Sequence, residues 1–201
     1  RVANVPEEDL YPVLKEAMAV AVVEERPSHG TAVAYRFTHA FFRQTLYEEI
    51  FAARRLRLHQ QVARALEAVY GRRVEEHAAE LAEHFAQSTD LADLRKAVRY
   101  GELAAQQAMA VYAYSEAVRH LEQALAVQEV LDPDDKPKRC DLLLALGEAL
   151  IPSGQAERAA DDVAEQAYGL SQAVGDAARS NLACQLAMTA LRISSAGGAF
   201  S

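Results

Sequence analysis

The chain has 201 residues and a mass of 22.0 kDa, enough for one large domain or two small ones with a real core. Its 51% hydrophobic and 25% charged residues exclude global disorder, and its net charge of −8 excludes a general field for nucleic acid or an anionic membrane. Forty-one alanines, with nine glycines, six prolines and no tryptophan, favour helices packed closely through small residues.

Both cysteines, Cys140 and Cys184, sit among helix-period apolar residues, where a thiol behaves as a small core hydrophobe. No disulfide and a reducing compartment are expected. No apolar run approaches the ~18–20 residues that span a bilayer, and Arg1 to Pro6 carry no signal-like stretch, so a cytoplasmic protein with no membrane contact is expected. The start at Arg1 without Met suggests a piece of something longer.

In chain order, Pro6 followed by Glu7, Glu8 and Asp9 and by Leu10, Leu14, Ala17 and Met18 predicts a helix whose acidic first turn faces the positive end of its dipole. Ala21 to Glu25 and Val33 to Thr38 are β-rich, and Arg26 to Gly30 supplies turn chemistry between them, which predicts a two-stranded hairpin. Such a hairpin is marginal alone and must lie against helices. From His39 the period becomes helical through Ile50, and a further helix runs from Ala53 to a stop at Gly71. Val74, Ala78, Leu81, Ala82 and Phe85 predict another, ended by Ser88 to Asp90. Helices follow at about 94–112, 115–131, 138–151, 155–174 and 177–192, separated by Tyr112 to Tyr114, Asp132 to Asp135, Pro152 to Gly154 and Gly175-Asp176.

These paired helices repeat loosely. Leu146-Gly147 and Leu150 recur as Leu186-Ala187 and Ala190, and Ala104-Ala105 and Ala108 hold the same places earlier in the chain. Residues 95 to 192 resemble degenerate tetratricopeptide repeats of the long kind, although the usual Trp is absent. The stretch Tyr35 to Glu67, with Glu80 to Phe85 after it, is similar to the junction between winged-helix and repeat regions in large bacterial STAND-class signalling ATPases. That class includes LuxR-type and antibiotic-regulatory transcription factors and ATPase modules fused to cyclases or kinases.

The resemblance implies a mostly α fold: a winged-helix-like subdomain with a small β-hairpin over residues 1–90, then a tetratricopeptide-like α-α superhelix over residues 91–201. It implies a non-catalytic regulatory and interaction module that senses a protein or small effector and controls an upstream ATPase domain, in transcriptional regulation. The Gly-x-x-x-x-Gly-Lys-Ser/Thr phosphate loop is absent, so ATP or ADP is expected in that upstream domain and no cofactor in these residues. The rival readings are a transcription-factor fragment whose own winged helix contacts DNA and a ligand-free structural scaffold.

By the same resemblance His39 is placed to sense bound nucleotide, coupling hydrolysis to domain movement. Packing against the hairpin with a backbone hydrogen bond is the plainer account. The first helices of the repeat pairs would expose Arg99, Glu102 and Gln106, then Asp141 and Glu148, then Asn181 and Arg192, as partner-binding groups. A solvated surface is the default account of these residues. His77, Glu80 and His84 share a helix face, but His77 and His84 stand about 10 Å apart along the axis, and no metal is expected. The basic run Arg54, Arg55, Arg57, Arg64, Arg72 and Arg73 would suit DNA in a winged helix. Glu75, Glu76, Glu80 and Glu83 follow it, so pairing between neighbouring helices is preferred and direct nucleic-acid contact is not expected. No nucleophile has the local context of a catalytic one, and an enzyme confined to this chain is not expected. The apolar face of the last helix, with Leu182, Leu186 and Leu191, would need cover from further repeats or from self-association at an open repeat end.

Overall fold

The computed structural model describes residues 6–27 and 33–197. It is mostly helical, with one two-stranded antiparallel hairpin among the described residues. The chain divides into two compact units between Ala65 and Leu66, within one helix and well before the expected boundary near residue 90. The helix carrying Phe85 therefore groups with those after it.

In the first unit α1 spans Glu7–Ala19, β1 Val23–Pro27, β2 Val33–Phe37 and α2 Ala40–Glu49. The strand β1 begins two residues later than the sequence pattern suggests. The reason is the end of α1, where Ala21 takes a left-handed φ of 56° while its N–H bonds Met18 O and the Val22 N–H bonds Ala17 O. These two bonds make a Schellman close that consumes Ala21 and Val22. Residues Ser28 to Gly30 of the expected turn lie outside the described residues. In the hairpin Val23 faces Phe37 and Glu24 faces Arg36, and the Glu24 carboxylate accepts from both Arg26 and Arg36. Those hydrogen bonds hold its carboxyl below the usual carboxylate range. The hairpin lies against α1 and α2, and Thr38 ties its end down by donating to Ala21 O at 2.5 Å. This unit buries little: every described residue before Ala63 is half-buried or exposed, with Tyr11, Phe41 and Phe51 more than 60% exposed.

The helix α3, Ala52–Tyr70, carries the boundary between the units. Gly71, at φ 53°, ends it as the sequence suggests. The expected helix from Val74 opens instead as a 3-10 segment, Gly71–His77, because Arg73 leaves helical geometry (φ −100°, ψ 16°); the α-helix proper, α4, is Ala78–Ala86. Then come α5 (Leu91–Ala110), α6 (Tyr114–Leu131) and α7 (Lys136–Leu150). A helical run follows as α8 (Ala156–Arg158), a π segment (Ala159–Ala164) and α9 (Glu165–Ala173), and α10 (Ala177–Gly197) comes last. The last helix therefore continues five residues beyond the expected end at Arg192. Gly198 to Ser201 lie outside the described residues.

Each helix packs on the next, α4 on α5, α5 on α6, α6 on α7 and α7 on α9, with α10 against α7, α9 and the π segment. Small residues allow this. A Cβ built on Gly101 would stand 3.1 Å from Ala124 Cβ, and one on Gly147 only 2.2 Å from Leu186 Cδ2. Larger side chains fill the gaps: Phe85 stacks on Tyr100 with ring centroids 6.0 Å apart, and Leu81, Leu142 and Leu150 are fully buried. Polar groups tie the layers together. The Tyr100 hydroxyl and Lys96 Nζ both donate to Glu67, at 2.9 and 2.6 Å, and Cys140 Sγ donates to Ala167 O at 3.3 Å. Burial pushes the Tyr100 phenol and the Cys140 thiol up. Both cysteines are free thiols, but Cys184 is exposed on α10 and only Cys140 belongs to the core.

Among the described residues five helix ends close with a left-handed residue, at Ala21, Gly71, Tyr112, Gly154 and Gly175. Glycine takes that conformation without Cβ strain, whereas an L side chain is disfavoured there by about 1–2 kcal/mol. Tyr112→Gly is therefore expected to raise stability by about 0.5–1 kcal/mol, and Gly175→Ala to lower it by about 1 kcal/mol, in urea unfolding.

His120, on α6, is 5% exposed, and its Nδ1 has no hydrogen-bond partner. Burial, and then the Arg119 charge, lower its pKa, while Glu116 and Glu83 oppose the shift. The folded state thus prefers neutral imidazole. Its contribution to stability is complete above the ordinary histidine pKa of about 6.5 and shrinks as pH falls below it, until the depressed folded pKa is passed. Unfolding free energies at pH 7.5 and 5.5 should show a smaller acid loss in His120→Leu than in the wild type; equal losses would count against the buried neutral imidazole.

Candidate partner-binding face

Alternate helices in the second unit are joined by ion pairs at nearly constant sequence separation. Lys138 on α7 meets Glu102 on α5 at 2.6 Å, 36 residues apart. Arg158 on α8 meets Glu122 on α6 at 2.6 Å, also 36 apart. Arg179 on α10 grips both oxygens of Asp141 on α7 at 2.7 and 2.8 Å, 38 apart. Asp176 accepts from Arg179 as well, and these two carboxylates hold the guanidinium firmly charged. Pairs at this exposure contribute little to stability. Their greater effect is on register, since each fixes a helix against the one two places before it, with α8, the π segment and α9 forming one helical run.

Between α5, α7 and α10 lies a trough of three adjoining depressions. The first, of about 310 Å³, is lined by Glu75, Arg99, Glu102, Leu103 and Gln106. The second, of about 320 Å³, shares Glu102 and Gln106 and adds Met109, Ala145 and Glu148 among others. The third, of about 230 Å³, shares Glu148 and adds Leu144, Ile151, Leu182, Gln185 and Thr189. Apolar side chains predominate in the second and third depressions. Helix geometry explains the lining: Glu102, Gln106 and Met109 follow one another at one turn on α5, as Leu144, Glu148 and Ile151 do on α7 and Leu182, Gln185 and Thr189 on α10.

Of the partner-binding residues expected from the sequence, Arg99, Glu102, Gln106 and Glu148 come together in this trough. Glu102 is neutralised by Lys138, and the Arg99 guanidinium lies 4.8 Å over the Tyr100 ring. Asp141 is exposed but taken up by Arg179, while Asn181 and Arg192 are exposed and line none of these depressions. Sequence reasoning missed Glu75, Gln185 and Thr189. The usable signal was the turn-by-turn pattern on α10, hidden because the separation of matching residues changes from 42 positions (Gln106 to Glu148) to 37 (Glu148 to Gln185).

His39 caps α2. It is extended (φ −137°, ψ 139°), and its Nδ1 accepts from the Phe41 N–H at 3.4 Å. His77 stacks on Tyr70 with centroids 3.5 Å apart, its Nδ1 lies 3.9 Å from Glu80, and the Tyr70 hydroxyl donates to Glu80 at 2.7 Å. No group of three or more potential metal ligands occurs among the described residues. Along α3, Arg54 and Arg57 are exposed and Arg55 lies 5.1 Å over Tyr47. No described helix is long and apolar enough to cross a membrane. No protein-family model, curated protein or solved structure matches the chain.

The His39 contact is long for a hydrogen bond. His39→Ala is expected to cost no more than about 0.5 kcal/mol and His39→Asn to restore or exceed the original stability, since asparagine is a stronger helix cap. Thermal melts of both variants check this.

Proposed function

We propose that this chain is a non-catalytic interaction module, a winged-helix-like unit followed by tetratricopeptide-like repeats, which works as the sensor of a STAND-class signalling ATPase in transcriptional control. The observation that carries this reading is the series of ion pairs Glu102–Lys138, Glu122–Arg158 and Asp141–Arg179, which joins helices two apart at separations of 36 to 38 residues. Such a series is what a stack of helix pairs produces, because every contact recurs once per repeat. The trough along the first helices of these pairs supports its use as the face that receives a protein or small effector.

The first unit supports the coupling half of the reading. Its exposed Tyr11, Phe41 and Phe51 are large apolar side chains of the kind that mark contact surfaces, as a unit docking on an ATPase domain requires. In this reading His39 is a resting-state latch toward nucleotide held by that domain, and effector binding in the trough shifts the balance between docked and released states. The nucleotide itself belongs elsewhere. Isothermal titration of this chain with ATP and with ADP is expected to show no binding at micromolar nucleotide. Micromolar affinity for either would overturn the division of labour between sensor and ATPase.

A further inference from the structure

The trough separates two kinds of polar side chain. On the first helices Glu102, Lys138, Asp141 and Arg179 are consumed in ion pairs between helices. By contrast, Gln106, Glu148, Gln185 and Thr189 line the trough, and their side chains make no hydrogen bond or ion pair with other described residues. Glu75, at the far end, likewise has a carboxylate with no partner among the described residues, its backbone carbonyl alone accepting from Gln107. The charges are therefore unequal along the trough: Glu148 has no cation beside it, Glu102 is cancelled by Lys138, and Glu75 shares the first depression with the Arg99 guanidinium, whose charge the Tyr100 ring does not remove.

From this geometry we infer that the trough takes an extended basic peptide segment, with a lysine or arginine of the ligand at Glu148. The carboxamides of Gln106 and Gln185 each offer a donor and an acceptor, the pair of functions that an extended backbone presents at every residue. They flank Glu148, so a backbone held at both would set a side chain over the carboxylate between them. The apolar side chains of Met109, Leu144, Ile151 and Leu182 accommodate the aliphatic stem of that side chain. The net charge of −8 assists the approach of a basic segment. A free polyamine would satisfy the carboxylates but leave both carboxamides unused.

The inference rests on the proposed use of the trough for recognition, and one experiment separates the two. The full chain, fluorescently labelled, is screened at 150 mM salt against beads carrying eight-residue peptides randomised at every position except for cysteine, and retained beads are sequenced. Retained peptides should be enriched in lysine or arginine at one position. Glu148→Gln should lose at least half of that enrichment, and Gln106→Leu or Gln185→Leu should reduce retention at least threefold. Glu157→Gln, an exposed carboxylate outside the trough, should change neither and so controls for overall charge. All four positions lie outside the core, and circular dichroism melts confirm that each variant is folded. Enrichment in neutral or acidic peptides that Gln106→Leu abolishes would overturn the basic preference while sparing the trough as a recognition face. Basic enrichment unchanged in Glu148→Gln would place the contact elsewhere and overturn the inference. No retention of any peptide class by the wild-type chain would overturn the inference together with peptide recognition in the trough.

Discussion

Close approach of helix backbones is the constraint on which the second unit depends. Where α5 meets α6, Gly101 leaves room for Ala124, and where α7 meets α10, Gly147 leaves a hollow that Leu186 fills. Alanine repeats the device along the rest of the stack: Ala104, Ala105, Ala117, Ala149, Ala159, Ala167 and Ala183 are all buried. A methyl group removes little area from water, so a core of this kind gains stability from many contacts of modest size and from dispersion between surfaces in register. It also tolerates enlargement poorly, because the space taken by one added carbon already belongs to a neighbouring helix. The trough follows from the same constraint, since Ala105 and Ala145 at its base let the polar residues of α5 and α7 stand up as its walls.

The two units meet this constraint differently. The second buries Phe85, Tyr100 and a run of leucines and pairs buried polar groups within the stack, Ser88 with Asp93 and Ser171 with Ser180, while leaving His120 Nδ1 without a partner. The first holds its hairpin through the Glu24 pairs and the Thr38 tie, yet leaves Tyr11, Phe41 and Phe51 largely in water. Local hydrogen bonding thus fixes its shape more than burial does.

Helical content and the order of elements were legible because the apolar period is strong from Glu7 onward and because glycine marks the ends at Gly71, Gly154 and Gly175. Ends closed by Ala21 and Tyr112 were harder to locate, since neither residue type announces a left-handed turn; the strand after α1 is displaced for this reason. The split of the α3-to-α4 connection into a 3-10 segment depends on the dihedral angles of Arg73, which no side-chain pattern encodes. Half of the trough was legible as well. Gln106 and Glu148 follow from helical spacing, but placing the α10 residues requires the true repeat length. That length varies with the loops and with the π segment at Ala159–Ala164, which inserts an extra residue per turn. Asp141 carried the right chemistry for a binding group, and only the distance to Arg179 shows that the group is already spent.

The ion pairs between alternate helices also bear on how the second unit is made. The longest of the three, Arg179 to Asp141, closes a segment of 38 residues, and the other two close shorter ones. Each helix can therefore find its partners as soon as the next pair has emerged during synthesis, without waiting for a distant terminus. Low contact order of this sort favours rapid, sequential folding in the direction of translation. It also means that gain or loss of a whole helix pair, by duplication or deletion in the gene, would preserve the local pattern of ties on either side while lengthening or shortening the trough by one step.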